Sequence, residues 1–160
     1  MTSCKKQIEK PQGYHFTECG LDYVYLINGY EVETDDVFGE STRIFNADKL
    51  HREIARSVLL HKQKLEGQEV RFLRSLLRLT QEQLGELLGG ITRETVSRWE
   101  SNRNPIDDSA DMLLRVVVWE EYLDEQKARQ FFDLHKKNRT HYKLLNMQES
   151  KNNWQVKLAA

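Results

Sequence analysis

Cysteine is nearly absent: the 160 residues hold only Cys4 and Cys19, and neither has a second cysteine two positions away. Paired C-x-x-C metal knuckles are therefore excluded. A closed four-ligand zinc site would have to be gathered from His15 and Cys19 with two of Cys4, His51, His61, His135 and His141, so no metal is expected. Two free thiols suit a reducing compartment. Long apolar runs are missing as well, which leaves no candidate membrane helix. The opening Met-Thr-Ser-Cys-Lys-Lys carries a positive pair with no apolar stretch behind it, so we expect no secretory leader and a cytoplasmic location. Glycine-rich phosphate loops, a nucleophile elbow and metal-spaced histidine pairs are also lacking. The acidic stretch Glu31-Val-Glu-Thr-Asp-Asp36 reads as loop and exposed strand face. No catalytic residue and no cofactor are expected.

Strong charge of one sign is the last absence. The formal net charge is −1, with charged residues at 31% and a mean hydropathy of −0.71, which describes a soluble chain with a modest core. The distribution says more than the total. Residues 1–60 hold seven Lys/Arg against ten Asp/Glu, residues 61–104 hold eight against six, and residues 105–160 hold nine against nine. Only the middle third is basic, and mildly so.

That middle third contains Thr80-Gln-Glu-Gln-Leu-Gly-Glu-Leu-Leu-Gly-Gly-Ile-Thr-Arg-Glu-Thr-Val-Ser-Arg-Trp-Glu100, which reads as two short amphipathic helices around a glycine turn. Thr80 and Gln83 form the T-x-x-Q version of a capping box. Leu84, Leu87 and Leu88 recur on one helical face. Gly89-Gly90 tolerates the positive φ of a tight turn, and Thr92 offers the next N-cap. In the second helix Val96 and Trp99 should face inward, turning Arg93, Glu94, Ser97 and Arg98 outward. Glu94 and Arg98 lie four apart, so an ordinary surface salt bridge is the plain alternative to a binding role.

These residues resemble the Xre/lambdoid-repressor helix-turn-helix through the pattern T-Q-x-x-L-(G/A)-x-x-L-G … (V/I)-S-R-W-E, and within that class the MqsA-like antitoxin regulators. Glu69-Val-Arg-Phe-Leu-Arg74 is similar to the family's first helix and Leu113-Leu-Arg-Val116 to its fourth. Two departures stand out: the turn is one residue longer than in the common repressors, and Asn102 replaces the glycine usual after the recognition helix. MqsA-like proteins generally carry an N-terminal zinc domain with paired C-x-x-C motifs, which this chain lacks. The resemblance implies base-edge contacts from Arg93, Glu94 and Arg98 and backbone contacts from Gln81, Thr92, Thr95, Ser97 and Arg103. Lys62, Lys64, Arg71, Arg74 and Arg78 are further candidate phosphate clamps, each weighed against a role as solubilising surface charge. The partners implied are double-stranded DNA with two-fold symmetry, a second copy of the chain as homodimer, and a toxin protein. The implied function is a transcriptional repressor. The alternative is an interaction module whose N-terminal domain binds and neutralises a partner protein, with DNA binding secondary.

The remaining chain completes an α+β expectation, a small antiparallel sheet domain followed by an all-α bundle. Residues 1–13 read as a flexible arm. In 14–65, Leu21–Ile27 and Tyr30–Glu33 flank Asn28-Gly29, a strong hairpin signal; Ser41–Phe45 supplies a third strand, and a helix over 48–65 carries Leu50, Ile54, Val58 and His61 on one stripe. Residues 66–123 form the helix-turn-helix bundle, its last helix starting after Asn104-Pro105 with Asp107 or Asp108 as cap. Residues 124–160 begin as a helix (Ala128, Phe131, Phe132, His135) and end in a polar segment, Gln148–Asn153, expected to fray. The helices at 48–65 and 125–136 are both amphipathic enough to form a dimer contact.

Overall fold

The computed structural model describes residues 13–123 and 144–157; Cys4 with residues 1–12 of the expected arm, and the helix expected over 125–136, lie outside them. The elements in chain order are β1 (Tyr14–His15), β2 (Val24–Leu26), β3 (Tyr30–Asp35), β4 (Gly39–Ile44), α1 (Ala47–His61), α2 (Gly67–Leu76), α3 (Gln81–Leu87), α4 (Arg93–Glu100), α5 (Asp108–Glu121), β5 (Leu145–Ser150) and β6 (Asn153–Lys157). The class is α+β, with four strands first, five helices after them and two further strands following the helices. One apolar cluster joins sheet and helices.

Strand pairing departs from the expected meander. Asn28-Gly29 does not close a hairpin: β2 pairs in parallel with β5, and β3 pairs only with β4. The dipeptide supplies the positive φ it promises, 78° at Gly29, but uses it to leave the sheet. Asn28 acts as a strand extension, its amide donating to the Glu149 carbonyl (3.1 Å) and its oxygen accepting from the Glu149 N–H (2.7 Å). At Gly29 a Cβ would lie 2.6 Å from the Trp154 ring, so the crossing over that indole also requires glycine.

The C-terminal segment expected to fray is a strand pair instead. Leu145, Met147 and Trp154 are buried, alternating with polar neighbours as a half-buried sheet demands. The two-residue turn Lys151-Asn152 has φ of 51° and 63°, the left-handed pair that a tight hairpin turn needs. The resulting order β1-β2-β5-β6 makes the sheet from both ends of the chain.

Helix α1 lays Leu50, Ile54 and Val58, all fully buried, against this sheet. Three buried charged side chains, Arg115, Asp111 and Glu69, then tie α1 and the sheet to the bundle. The Arg115 guanidinium of α5 donates to the Leu59 carbonyl at 2.7 Å, satisfying an orphan acceptor at the end of α1, and pairs with Asp111. Asp111 also accepts from the Leu65 N–H at 2.8 Å. Beside it the Glu69 carboxylate of α2 accepts from the Tyr23 hydroxyl at 2.8 Å and lies 3.0 Å from the Lys62 ammonium. The helical bundle is thereby held against the sheet by directional bonds as well as apolar contact.

Candidate nucleic-acid interface

Local chemistry sets α3 and α4. Thr80 Oγ1 accepts from the Gln83 N–H (3.1 Å) while Gln83 Oε1 accepts from the Thr80 N–H (2.8 Å), the reciprocal bonds of a capping box. Gly89 and Gly90 hold φ of 97° and 86°, and their turn folds the Ile91 and Gly90 N–H groups back onto the Gly85 carbonyl. The longer turn therefore presses on α3: a Cβ at Gly85 would sit 1.9 Å from the Ile91 oxygen. Glycine stands there because the turn leaves no room for a methyl group.

Thr92 caps α4, its hydroxyl accepting from the Thr95 N–H at 3.3 Å and lying 3.0 Å from the Thr95 hydroxyl. Both hydroxyls are thus engaged with each other at the helix start. Val96 and Trp99 are buried, at 0% and 4% exposure. Arg93, Glu94, Ser97 and Arg98 are exposed. Neither Glu94 nor Arg98 joins an ion pair among the described residues, so both heads are free to meet a ligand.

The end of α4 explains the missing glycine. Asn102 takes φ of 56°, with the Arg103 N–H on the Arg98 carbonyl (2.9 Å) and the Asn102 N–H on the Trp99 carbonyl (3.0 Å), the two bonds of a Schellman cap. Asparagine adds what glycine lacks. Its Oδ1 accepts from the Gly67 N–H at 2.7 Å, closing the first turn of α2. Arg103 follows, exposed, just past this cap.

Gln81 points elsewhere than expected of a free phosphate anchor. Its amide donates to Glu100 Oε2 at 2.9 Å, within a network the sequence did not reveal. Arg74 Nε and Nη2 hold the same carboxylate at 2.5 and 3.0 Å, and Arg71 lies 3.6 Å away. Burial alone would push the Glu100 carboxyl up, but the hydrogen bonds from Arg74 and Gln81 and the charges of Arg74 and Arg71 outweigh it and hold it below the ordinary glutamate value. Glu100 is the last residue of the V-S-R-W-E pattern and sits one position past buried Trp99; that location was the only sequence signal of its role. Of the candidate clamps, Lys62 is bound to Glu69 and Lys64 to Asp108. Only Arg78 and Arg103 make no ion pair with a described residue.

Of the residues weighed for zinc, Cys4, His135 and His141 lie outside the described residues, and His15, Cys19 and His51 are engaged otherwise. His15 bonds to the Asp22 carbonyl and stacks on Tyr25. Cys19 donates to the Phe16 carbonyl, and burial pushes its thiol up to about 11. Burial also lowers His51, against the opposing charge of Asp48, and its ring lies beside Phe16. Among the described residues no group of three or more His, Cys, Asp or Glu is placed to hold a metal ion, and no helix is long and apolar enough to cross a membrane.

A family model for the helix-turn-helix of the Xre/lambda-repressor kind matches residues 70–113. The match runs from Val70 of α2 through α3 and α4 to Leu113 of α5, the stretch whose caps and turn are described above. Neither a curated protein nor a solved structure matches the chain.

Proposed function

We propose that this chain is a sequence-specific transcriptional repressor that binds operator DNA as a homodimer in the cytoplasm and performs no catalysis. The observation that carries this reading is the free polar face of α4. Arg93, Glu94 and Arg98 stand exposed on a helix whose opposite face is fixed by Val96 and Trp99. An arginine fork matches guanine O6 and N7, and a glutamate accepts from the cytosine amino group. Arg103 and the hydroxyls near Thr92, Thr95 and Ser97 flank that face as backbone contacts. Gln81 reaches a phosphate only by releasing Glu100.

A single helix of this length reads few base pairs, so two copies are needed for useful discrimination. The test is a gel shift and footprint on the DNA upstream of the gene. We expect an inverted repeat with half-site centres about 34–36 Å apart, and a slope of log affinity against log salt near about −5 if roughly six phosphates are neutralised. A monomeric protein, or a protected site without two-fold symmetry, overturns the dimeric version.

The narrower reading, an antitoxin similar to the MqsA-like regulators, rests on sequence resemblance in the helix-turn-helix. Its test is whether the chain, co-expressed with a neighbouring small toxic reading frame, restores growth. The competing reading makes the N-terminal domain a partner-neutralising module with DNA binding secondary. What favours it is the β3–β4 ribbon described next.

A further inference from the structure

Strands β3 and β4 stand apart from the four-stranded sheet and pair only with each other, in register from Tyr30↔Ile44 to Asp35↔Gly39. An isolated two-stranded ribbon is marginally stable in water, so its retention as a projecting arm needs a reason. Its base is anchored, with Tyr30 beside the Tyr14 ring and the Phe45 carbonyl accepting from the Trp154 indole. Its apex is not covered. Val37 and Phe38 are 80% and 89% exposed, and Val32 stands exposed on the strand below them. The Asp35 carboxylate fixes the apex by accepting from the N–H groups of both Val37 and Phe38, at 2.7 and 2.9 Å. The exposed pair is therefore presented by a built turn.

Alternation gives the ribbon two unlike faces. Tyr30, Val32 and Thr34 share one with Ile44, Thr42 and, near the apex, Glu40; Glu31, Glu33 and Asp35 share the other with Arg43, Ser41 and Gly39. Residues 30–44 carry five carboxylates, Glu31, Glu33, Asp35, Asp36 and Glu40, against the one guanidinium of Arg43. That balance repels a phosphate backbone and an anionic membrane, and it repels the same face of a second copy. It attracts lysine and arginine.

We propose that the β3–β4 ribbon is a protein-docking arm, whose Val37–Phe38 apex enters an apolar pocket on a basic partner protein while Glu31 and Glu33 face that partner's cationic side chains. A buried aromatic anchor rimmed by complementary charge is the usual energetic core of such contacts. The arm is a different element from α4, so this proposal and the DNA reading stand or fall separately.

The test pans a phage-displayed random-peptide library on the full chain, with counter-selection on a Val37→Ser/Phe38→Ser variant. Enriched peptides should combine Lys or Arg with an aromatic or leucine residue. Their affinity should fall about tenfold or more in Phe38→Ser, and should weaken both in Glu31→Gln/Glu33→Gln and between about 50 and 500 mM salt. These side chains are exposed, so thermal melting and operator binding should stay parental in every variant. Failure to enrich any sequence over the counter-selected variant overturns the proposal, as does enrichment of peptides indifferent to Glu31 and Glu33. Loss of operator binding in the ribbon variants assigns the arm to DNA, and loss of self-association in sedimentation assigns it to a copy–copy contact; either result also overturns it.

Discussion

Removing the Glu100 carboxylate should unlock the reading head. Its side chain is 2% exposed and its principal partner, Arg74, 18% exposed. In Glu100→Leu the Arg74 guanidinium keeps only the Leu79 carbonyl at 2.9 Å, and Gln81 loses its acceptor. Breaking a buried pair by deleting one partner costs about 3–5 kcal/mol, because the other charge stays desolvated without compensation. Arg74's residual contact with solvent places this case near the lower end, about 3 kcal/mol. For a chain of this size that is a melting shift of roughly 6–12 °C. The double variant Arg74→Leu/Glu100→Leu should recover most of the loss, since apolar replacement of both partners is often neutral. Urea and thermal melts of parent, singles and double close the cycle.

The same carboxylate gives a pH signature. Its folded pKa is depressed below the usual 4.5, so its contribution is present above that value and is lost as pH falls through the lower, folded one. The parent should therefore shed stability on the acid side that Glu100→Gln, having no carboxylate to protonate, does not. A Glu100→Leu protein that melts within about 0.5 kcal/mol of the parent, or a double variant no better than the single, would refute the reasoning.

Other outcomes follow from the same geometry. Arg98→Ala should weaken specific operator binding by about 1–3 kcal/mol while leaving non-specific affinity and melting unchanged; a parallel fall in both affinities in a filter-binding assay makes Arg98 a phosphate contact only. Gly85→Ala, though it conforms to the family pattern, should cost about 1–3 kcal/mol and disturb operator binding, because the Ile91 carbonyl must move to admit the new methyl group; parental melting and affinity would contradict the close approach. Trp99→Ala should cost roughly 3–5 kcal/mol through the cavity it leaves, and a variant that keeps its melting point but loses DNA would mean that the indole serves the interface.

What was legible in the sequence was what is encoded within a few residues. The capping box at Thr80, the glycine turn and the Thr92 cap are local bonds between near neighbours, so their residue types announce them. Val96 and Trp99 follow from helical periodicity. The Glu100 network was hidden because Arg74 and Gln81 come from two other helices and nothing in their local pattern distinguishes a buried guanidinium from a solvated one. Asn28-Gly29 shows the same limit in the sheet. The dipeptide specifies a backbone torsion but not the partner strand, and the partner lies more than a hundred residues away, at Glu149.

The C-terminal strands test how far that long-range pairing carries the fold. Their signal was present in Leu145-x-Met147 and Trp154-x-Val156 around Lys-Asn-Asn, but six consecutive polar residues, Gln148–Asn153, masked the alternation. Ending the chain after residue 143 would strip β5 and β6 from the sheet, leaving the two short strands β1 and β2 to cover one face of α1. It would remove Leu145, Met147 and Trp154, each 3% exposed or less. Loss of side chains of this size costs about 2–5 kcal/mol apiece, so the sum approaches the whole stability of an ordinary domain, about 5–15 kcal/mol. Residues 14–65 should then become protease-sensitive and lose cooperative melting. Because Tyr23 and the end of α1 are bonded to Glu69 and Arg115, the helix-turn-helix should also melt earlier than in the intact chain. Limited proteolysis with mass spectrometry reads the first effect and near-ultraviolet dichroism of the tryptophans the second. A truncated chain that resists protease over 14–65 and melts with the parent would mean that β1, β2 and α1 form a closed unit without their C-terminal partners.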